Sequence, residues 1–268
     1  MSALSQKKRA GAMSEKRASA RVLRFGLLPV ALLILWQAGA GLGLLPVYLV
    51  APSAIAETAW AMLLKGELGR NLGVSLLRCY GGFAIGAGTG VALGLLTGRS
   101  ASARALIDPL VSVTYPAPKI AILPILMVWL GLGDASKIAL ISISVFYPAY
   151  INAFQGAVSV KPVLIAAART MGAGRLTILA RVVAPAAMPS ILIGLRVALG
   201  LSFIMLFAAE LAGADKGLGR LIVDAQMFQR FDIMFVAVFA IALFGFASDR
   251  FLLTLRDRFF SHHGGASR

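Results

Sequence analysis

Long apolar runs broken by short charged clusters dominate the chain, and the length of those runs carries the first conclusion. About 20 apolar residues in a helix cross the hydrocarbon of a bilayer, and a charge near either end can snorkel to the surface. On that basis the sequence predicts six transmembrane helices, over 25–45, 79–98, 111–132, 138–156, 188–211 and 233–253. Lys119 interrupts the third and Arg196 the fifth, while Asp249 and Arg250 stand near the end of the sixth. The expected organisation is a basic tail over 1–24, a six-span body over 25–257 and a short polar tail over 258–268.

Composition gives the same class. The chain is 59% hydrophobic and 14% charged, whereas soluble domains run near ~45–50% apolar and ~25% charged. Its 28 glycines lie within apolar stretches without a collagen period, which suits close-packed membrane helices. The single Cys79 forms no intrachain disulfide, and His262 and His263 stand together in the polar tail, so neither a disulfide framework nor a metal cluster is expected.

The net charge of +15 is a topology signal. Basic residues collect on the cytoplasmic side of membrane proteins. Placing the tail there puts 17 Lys and Arg inside, including Lys161, Arg169, Arg175 and Arg181 after the fourth span. Seven fall outside, among them Arg78 and Lys137, offset by acids such as Glu67, Asp134, Glu210 and Asp215. Both termini are therefore predicted cytoplasmic, with the bilayer and no nucleic acid as partner. The tail, the apolar run and Ala38-Gly39-Ala40 also resemble a cleavable signal peptide, but the run continues well past that site, favouring an uncleaved anchor.

Gly82, Gly86, Gly90, Gly94 and Gly98 recur every fourth residue along the second span and form a ridge without side chains. Each step of four overshoots a turn by ~40°, so the ridge drifts around the helix and need not meet a single neighbour. A nucleotide phosphate cradle would need G-x-x-x-x-G-K-[ST], and that string is absent. Any ATP hydrolysis therefore belongs to another chain.

The stretch 161–173 reads as a short cytoplasmic helix: Pro162 suits a first turn, the alanines favour helix, and Gly172 stops it or permits a bend. Here the sequence resembles the inner-membrane permeases of ATP-binding-cassette (ABC) importers, whose signature is E-A-A, three residues, Gly, nine residues, I-x-L-P. Ala167 and Ala168 fit the alanines, Gly172 the glycine, Val182 the isoleucine and Pro185 the proline. Ala166 replaces the glutamate and Ala184 the leucine. The resemblance extends through Pro52-Ser53, Arg78, Asp108-Pro109, Trp129-Leu130-Gly131-Leu132-Gly133, Ser136-Lys137, Glu210 and Gly217-Leu218-Gly219, and is nearest the nitrate/sulfonate/taurine branch.

That resemblance implies a type I ABC importer permease fold and no enzymatic activity. It implies no cofactor on this chain, with ATP and Mg on the partner ATPase. It also implies two ATPase copies, a second permease subunit in a homodimer or heterodimer, and a periplasmic substrate-binding protein. Residues 162–172 become a coupling helix docked on the ATPase, with Arg169 or Arg175 supplying contacts in place of the missing glutamate. The implied cargo is a small anion such as an aliphatic sulfonate, taurine or nitrate, with a pyrimidine-type vitamin precursor as the alternative.

Three charges are candidates for the pathway or gate. Lys119 is read as snorkelling to the cytoplasmic boundary, with an anion-attracting site as its functional reading. Arg196 calls for a partner such as Asp249, as a structural pair or a gating contact. Glu210, ending the fifth span, is read as an outer-face contact. Hydroxyls of Ser112, Thr114, Tyr115, Ser142, Ser144, Tyr147 and Tyr150 are expected mostly to bond between helices. An ion-coupled carrier would need intramembrane acids, of which only Asp249 is available, and an intramembrane enzyme would need groups the spans lack.

Overall fold

The structure, a computed structural model, describes residues 27–260. The basic tail, Phe25 and the paired histidines lie outside the described residues. Helices α1 (Leu27–Gly41), α2 (Pro52–Leu64), α3 (Glu67–Arg99), α4 (Ala101–Thr114), α5 (Leu123–Leu130) and α6 (Asp134–Val158) come first. They are followed by α7 (Pro162–Thr170), α8 (Arg175–Ile178), α9 (Ala184–Gly213), α10 (Leu218–Met227) and α11 (Phe231–Phe260). Among the described residues four helical stretches are long and apolar enough to cross a membrane: α3, α6, α8 running on through α9, and α11.

Two expected spans come out differently. The third is a broken pair: α4 and the 3-10 turn Lys119–Ile122 leading into α5 are bent by 91°. Pro116 and Pro118 remove two backbone donors at that point, so a helix cannot run through it. The first ends at Gly41, ahead of the expected 45, because the chain turns at Gly43 (φ 69°) before Pro46; its described part, Leu27–Gly41, is about 22 Å long. It packs through Trp36, whose ring stands 5.8 Å from Phe235 of α11. The last helix passes residue 257 and continues to Phe260.

The centre is made by α3, α6 and α9, where Cys79, Ala87, Ile141, Val145, Ala149, Ala198, Leu199 and Leu206 form one buried cluster. Lipid is as apolar as these side chains, so packing and hydrogen bonds, rather than water exclusion, hold such helices together. All five ridge glycines face α6. A methyl at Gly82 would stand 2.6 Å from Ile141, at Gly90 2.6 Å from the Phe146 carbonyl, at Gly94 2.5 Å from the Tyr150 carbonyl and at Gly98 2.6 Å from Ala157. At Gly86 it would fall on the Ser142 carbonyl.

The ridge thus follows one neighbour for its whole length, despite its drift around the helix. The i±4 rows of a helix are themselves inclined to its axis, and a partner crossing along that incline stays in register. α6 answers with its own four-spaced small residues, Ala149, Ala153 and Ala157, and contact positions ascend together, so the two helices run parallel. The hydroxyls mostly turn inward on their own helix: Thr114, Ser142 and Ser144 donate to carbonyls four residues back. Tyr150 crosses to Asp108 of α4, 2.6 Å away.

Gly86→Ala is expected to push α3 off α6 and destabilise the fold by about 1–3 kcal/mol, read as a lowered thermal unfolding midpoint in detergent. Gly88→Ala, whose new methyl meets nothing within 4 Å, is expected to leave that midpoint unchanged.

Candidate functional site

Three places in the bundle hold the residues singled out from the sequence. The first is α7. Pro162 opens it, and Gly172 closes it in a Schellman turn: Gly172 N donates to Arg169 O at 2.9 Å and Ala173 N to Ala168 O at 3.0 Å. Gly172 adopts φ 80°, the left-handed region that glycine enters without strain. Ile165 alone in α7 is buried, packing with Ala157, Val160, Ile178 and Val183. Val163, Leu164, Ala166, Ala167 and Met171 remain exposed, so α7 is anchored on one side and presents an apolar ledge on the other.

The signature continues into a π-helical turn, Leu179–Val183, just ahead of Pro185 at the start of α9. Val182 is half-buried, whereas its neighbour Val183 is fully buried in the same cluster. Pro185 lacks an N–H to continue the α ladder, and a wider turn at that point is how the helix absorbs the loss.

The second place is the break between α4 and α5. Lys119 donates to the Tyr115 carbonyl, and its Nζ stands 4.5 Å from the Tyr147 ring centroid and 5.1 Å from that of Tyr115. Tyr147 lies midway along the 25-residue α6. The ammonium is therefore held against aromatic faces beside the midpoint of α6. The bend at Pro116–Pro118 turns the side chain across α6 instead of along its own helix. Among the described residues no carboxylate pairs with Lys119. A recess of about 250 Å³ lined by Thr89, Ser142, Ile143, Phe146 and Tyr147 adjoins the ring that carries it.

Arg196 does find Asp249: Nε and Nη2 grip its two oxygens at 2.6 and 3.1 Å, tying α9 to α11 on an open face.

The third place is the end of the bundle where α9 meets α10. Glu210 is wholly buried, against the expectation of an outer-face contact. Its Oε1 accepts from Arg78 Nη1 at 2.8 Å, its Oε2 from Gly219 N at 2.8 Å, and Ser75 Oγ lies within 2.9 Å of both oxygens. Arg78, counted from the sequence as an outer loop base, is 1% exposed. It also donates to Lys216 O at 2.6 Å and to Asp134 Oδ1 through Nε at 2.7 Å and Nη2 at 2.6 Å. Ser75 accepts from Leu218 N, and Asn71 from Gly217 N, both at 2.9 Å. Lys137, placed outside with Arg78, is fully buried and donates to the Leu132 carbonyl.

Gly217 and Gly219 make this possible. A methyl on Gly217 would collide with the Glu210 carboxylate and one on Gly219 would stand 2.5 Å from Glu210 Cβ, so the first turn of α10 can wrap the carboxylate only without side chains there. Sequence reasoning missed this convergence, although Arg78, Lys137, Glu210 and Gly217-Leu218-Gly219 all stand in the strings that carry the family resemblance. Asn71 and Ser75 had no signal beyond lying two turns and one turn before Arg78 on the same helix face.

Glu210→Ala leaves a buried guanidinium with part of its charge unanswered, and is expected to destabilise the protein by about 3–5 kcal/mol. The double variant Arg78→Met with Glu210→Met is expected to be less destabilised than either single change, as a thermal unfolding cycle in detergent would read.

Comparison with known proteins agrees with this architecture. The family model described as the inner membrane component of binding-protein-dependent transport systems matches residues 90–261. The chain is 35% identical over 233 residues to the Bacillus subtilis (strain 168) protein named aliphatic sulfonates transport permease protein SsuC, covering 87% of this chain and 84% of that one. It is 32% identical over 247 residues to the taurine transport system permease protein TauC of Escherichia coli (strain K12), covering 90% of each. A solved structure of the MetNI methionine ABC transporter in an inward-facing conformation superposes with a TM-score of 0.55 at 22% identity, over 72% of this chain and 95% of that one. Family, membrane-crossing helices and shared fold coincide: the chain belongs to the inner-membrane components of binding-protein-dependent transport systems and is a multi-pass permease subunit of an ABC importer of the bacterial plasma membrane.

Proposed function

We propose that this permease carries a small organic or inorganic anion of the sulfonate, taurine or nitrate kind. The observation that carries the reading is Lys119: a cation halfway down the bundle, cradled by two tyrosine rings and without a carboxylate partner among the described residues. A charge at that depth is costly and marks a substrate or ion pathway by default. An anionic cargo supplies the missing counter-charge during passage. The sulfonate and taurine permeases it resembles support the same cargo class.

In this reading a periplasmic binding protein delivers the anion and a homodimer of this chain forms the pathway. Two copies of a separate ATPase, holding ATP and Mg, dock on the exposed ledge of α7. Ala166 leaves that ledge without the usual carboxylate, so docking rests on Val163, Leu164 and Met171 together with the shape set by Gly172.

The test is uptake of labelled sulfonates, taurine and nitrate into vesicles holding this chain with its ATPase and binding protein. Lys119→Met is expected to raise KM for the anion roughly tenfold or more, the loss of one charge-assisted contact, with Lys119→Arg retaining most uptake. Unchanged KM in Lys119→Met sinks the cargo reading. Gly172→Arg places a bulky cation on the ledge from a backbone that resists any side chain, and is expected to abolish ATP-dependent uptake while the protein remains in the membrane. Uptake driven by an ion gradient without the ATPase would overturn the importer reading.

A further inference from the structure

A second cationic site lies far from Lys119, behind α7. A recess of about 570 Å³ opens between the corner joining α3 to α4 and the turn joining α7 to α8. Arg99 lines it from the end of α3, and Arg169 and Arg175 from the far wall. Among the described residues none of the three is paired with a carboxylate. The sequence supplies none nearby: 159–183 holds Lys161, Arg169, Arg175 and Arg181 and no acid. Three guanidinium groups sharing one concavity repel one another unless an anion enters.

The remaining lining is that of an oxyanion site with an apolar skirt. Ser100 and Ser102 border the recess at the start of α4, where the helix N-terminus adds partial positive charge. Ser100 already accepts from Ala103 N through its oxygen, which leaves its O–H to donate. Leu96 and Leu176 stand at the mouth, exposed, on the level where α3 and its apolar stretch end. Arginine is the side chain best shaped to grip phosphate in a fork, and basic pockets between helices at the membrane surface take phospholipid headgroups.

We propose that this recess binds a phosphate-type oxyanion, supplied either by the headgroup of an anionic phospholipid or by free phosphate. Ile165, one turn before Arg169, turns that face of α7 towards the recess and away from the exposed Val163, Leu164 and Met171. The bound anion ties the coupling element to the end of α3, and so to the helix that carries the glycine ridge. The inference is independent of the cargo assigned to Lys119.

The test uses the full permease assembled with its ATPase. Native mass spectrometry reads retention of phosphatidylglycerol after reconstitution in phosphatidylcholine with phosphatidylglycerol, and thermal unfolding in detergent reads titration with inorganic phosphate against chloride of equal ionic strength. The paired change Arg99→Gln with Arg175→Gln is expected to weaken retention or phosphate stabilisation by about thirtyfold, from the typical contribution of each basic residue. Lys161→Gln, outside the recess, is expected to leave both unchanged, and single Arg99→Gln, at an exposed position, to give a partial loss should the paired variant fold poorly. Phosphatidylglycerol retention without a phosphate response identifies the headgroup as ligand; a phosphate response identifies the free anion. Equal binding by wild type and the Arg99→Gln variant overturns the proposal. So does the absence of both phosphatidylglycerol retention and a phosphate response in the assembled complex.

Discussion

Because α3 carries no side chains at Gly82, Gly86, Gly90, Gly94 and Gly98, its backbone meets that of α6 directly over almost the whole depth of the bundle. Between helices in lipid there is no water to expel, and van der Waals contact at short range supplies the attraction. This contact sets the position of α6, and α6 positions both α9 through Gly194 and Tyr147 beneath Lys119. A methyl anywhere along the ridge therefore disturbs more than one interface.

The two ends of α3 do different chemistry. At one end Asn71, Ser75 and Arg78, one turn apart, gather Glu210, Asp134 and the backbone of α10 into a single hydrogen-bonded knot. Burial of Arg78 and Glu210 is tolerated because nearly every donor and acceptor in the knot finds a partner, and it joins α3, α6, α9 and α10 where they would otherwise splay. At the other end Arg99 faces the recess behind α7. The helix thus links a rigid polar knot at one end of the bundle to the recess beside α7 at the other, with the glycine contact between them.

The arrangement of charge along the bundle is also uneven in kind. Arg78 is fully answered by acids, Arg196 is gripped by Asp249, and among the described residues Lys119 rests only on aromatic faces and a carbonyl. The aromatic quadrupole attracts a cation without neutralising it.

The sequence alone determined the membrane class, the approximate position of most spans, the small-residue face of α3 and the helix at Pro162–Thr170, because these depend on local length, spacing and propensity. It also carried the family, through strings whose geometry it did not reveal. Only the tertiary structure decided that the glycine ridge serves one partner, since that rests on the crossing of two helices. Only the structure broke the third span at Pro116–Pro118 and swung Lys119 onto Tyr147, and only it buried Arg78, Lys137 and Glu210, which by sequence position are loop and helix-end charges. Whether a charge near the end of a span meets water or a partner depends on what the rest of the chain brings to it. Here that partner comes from more than a hundred residues away: Glu210 meets Arg78 at a separation of 132 residues.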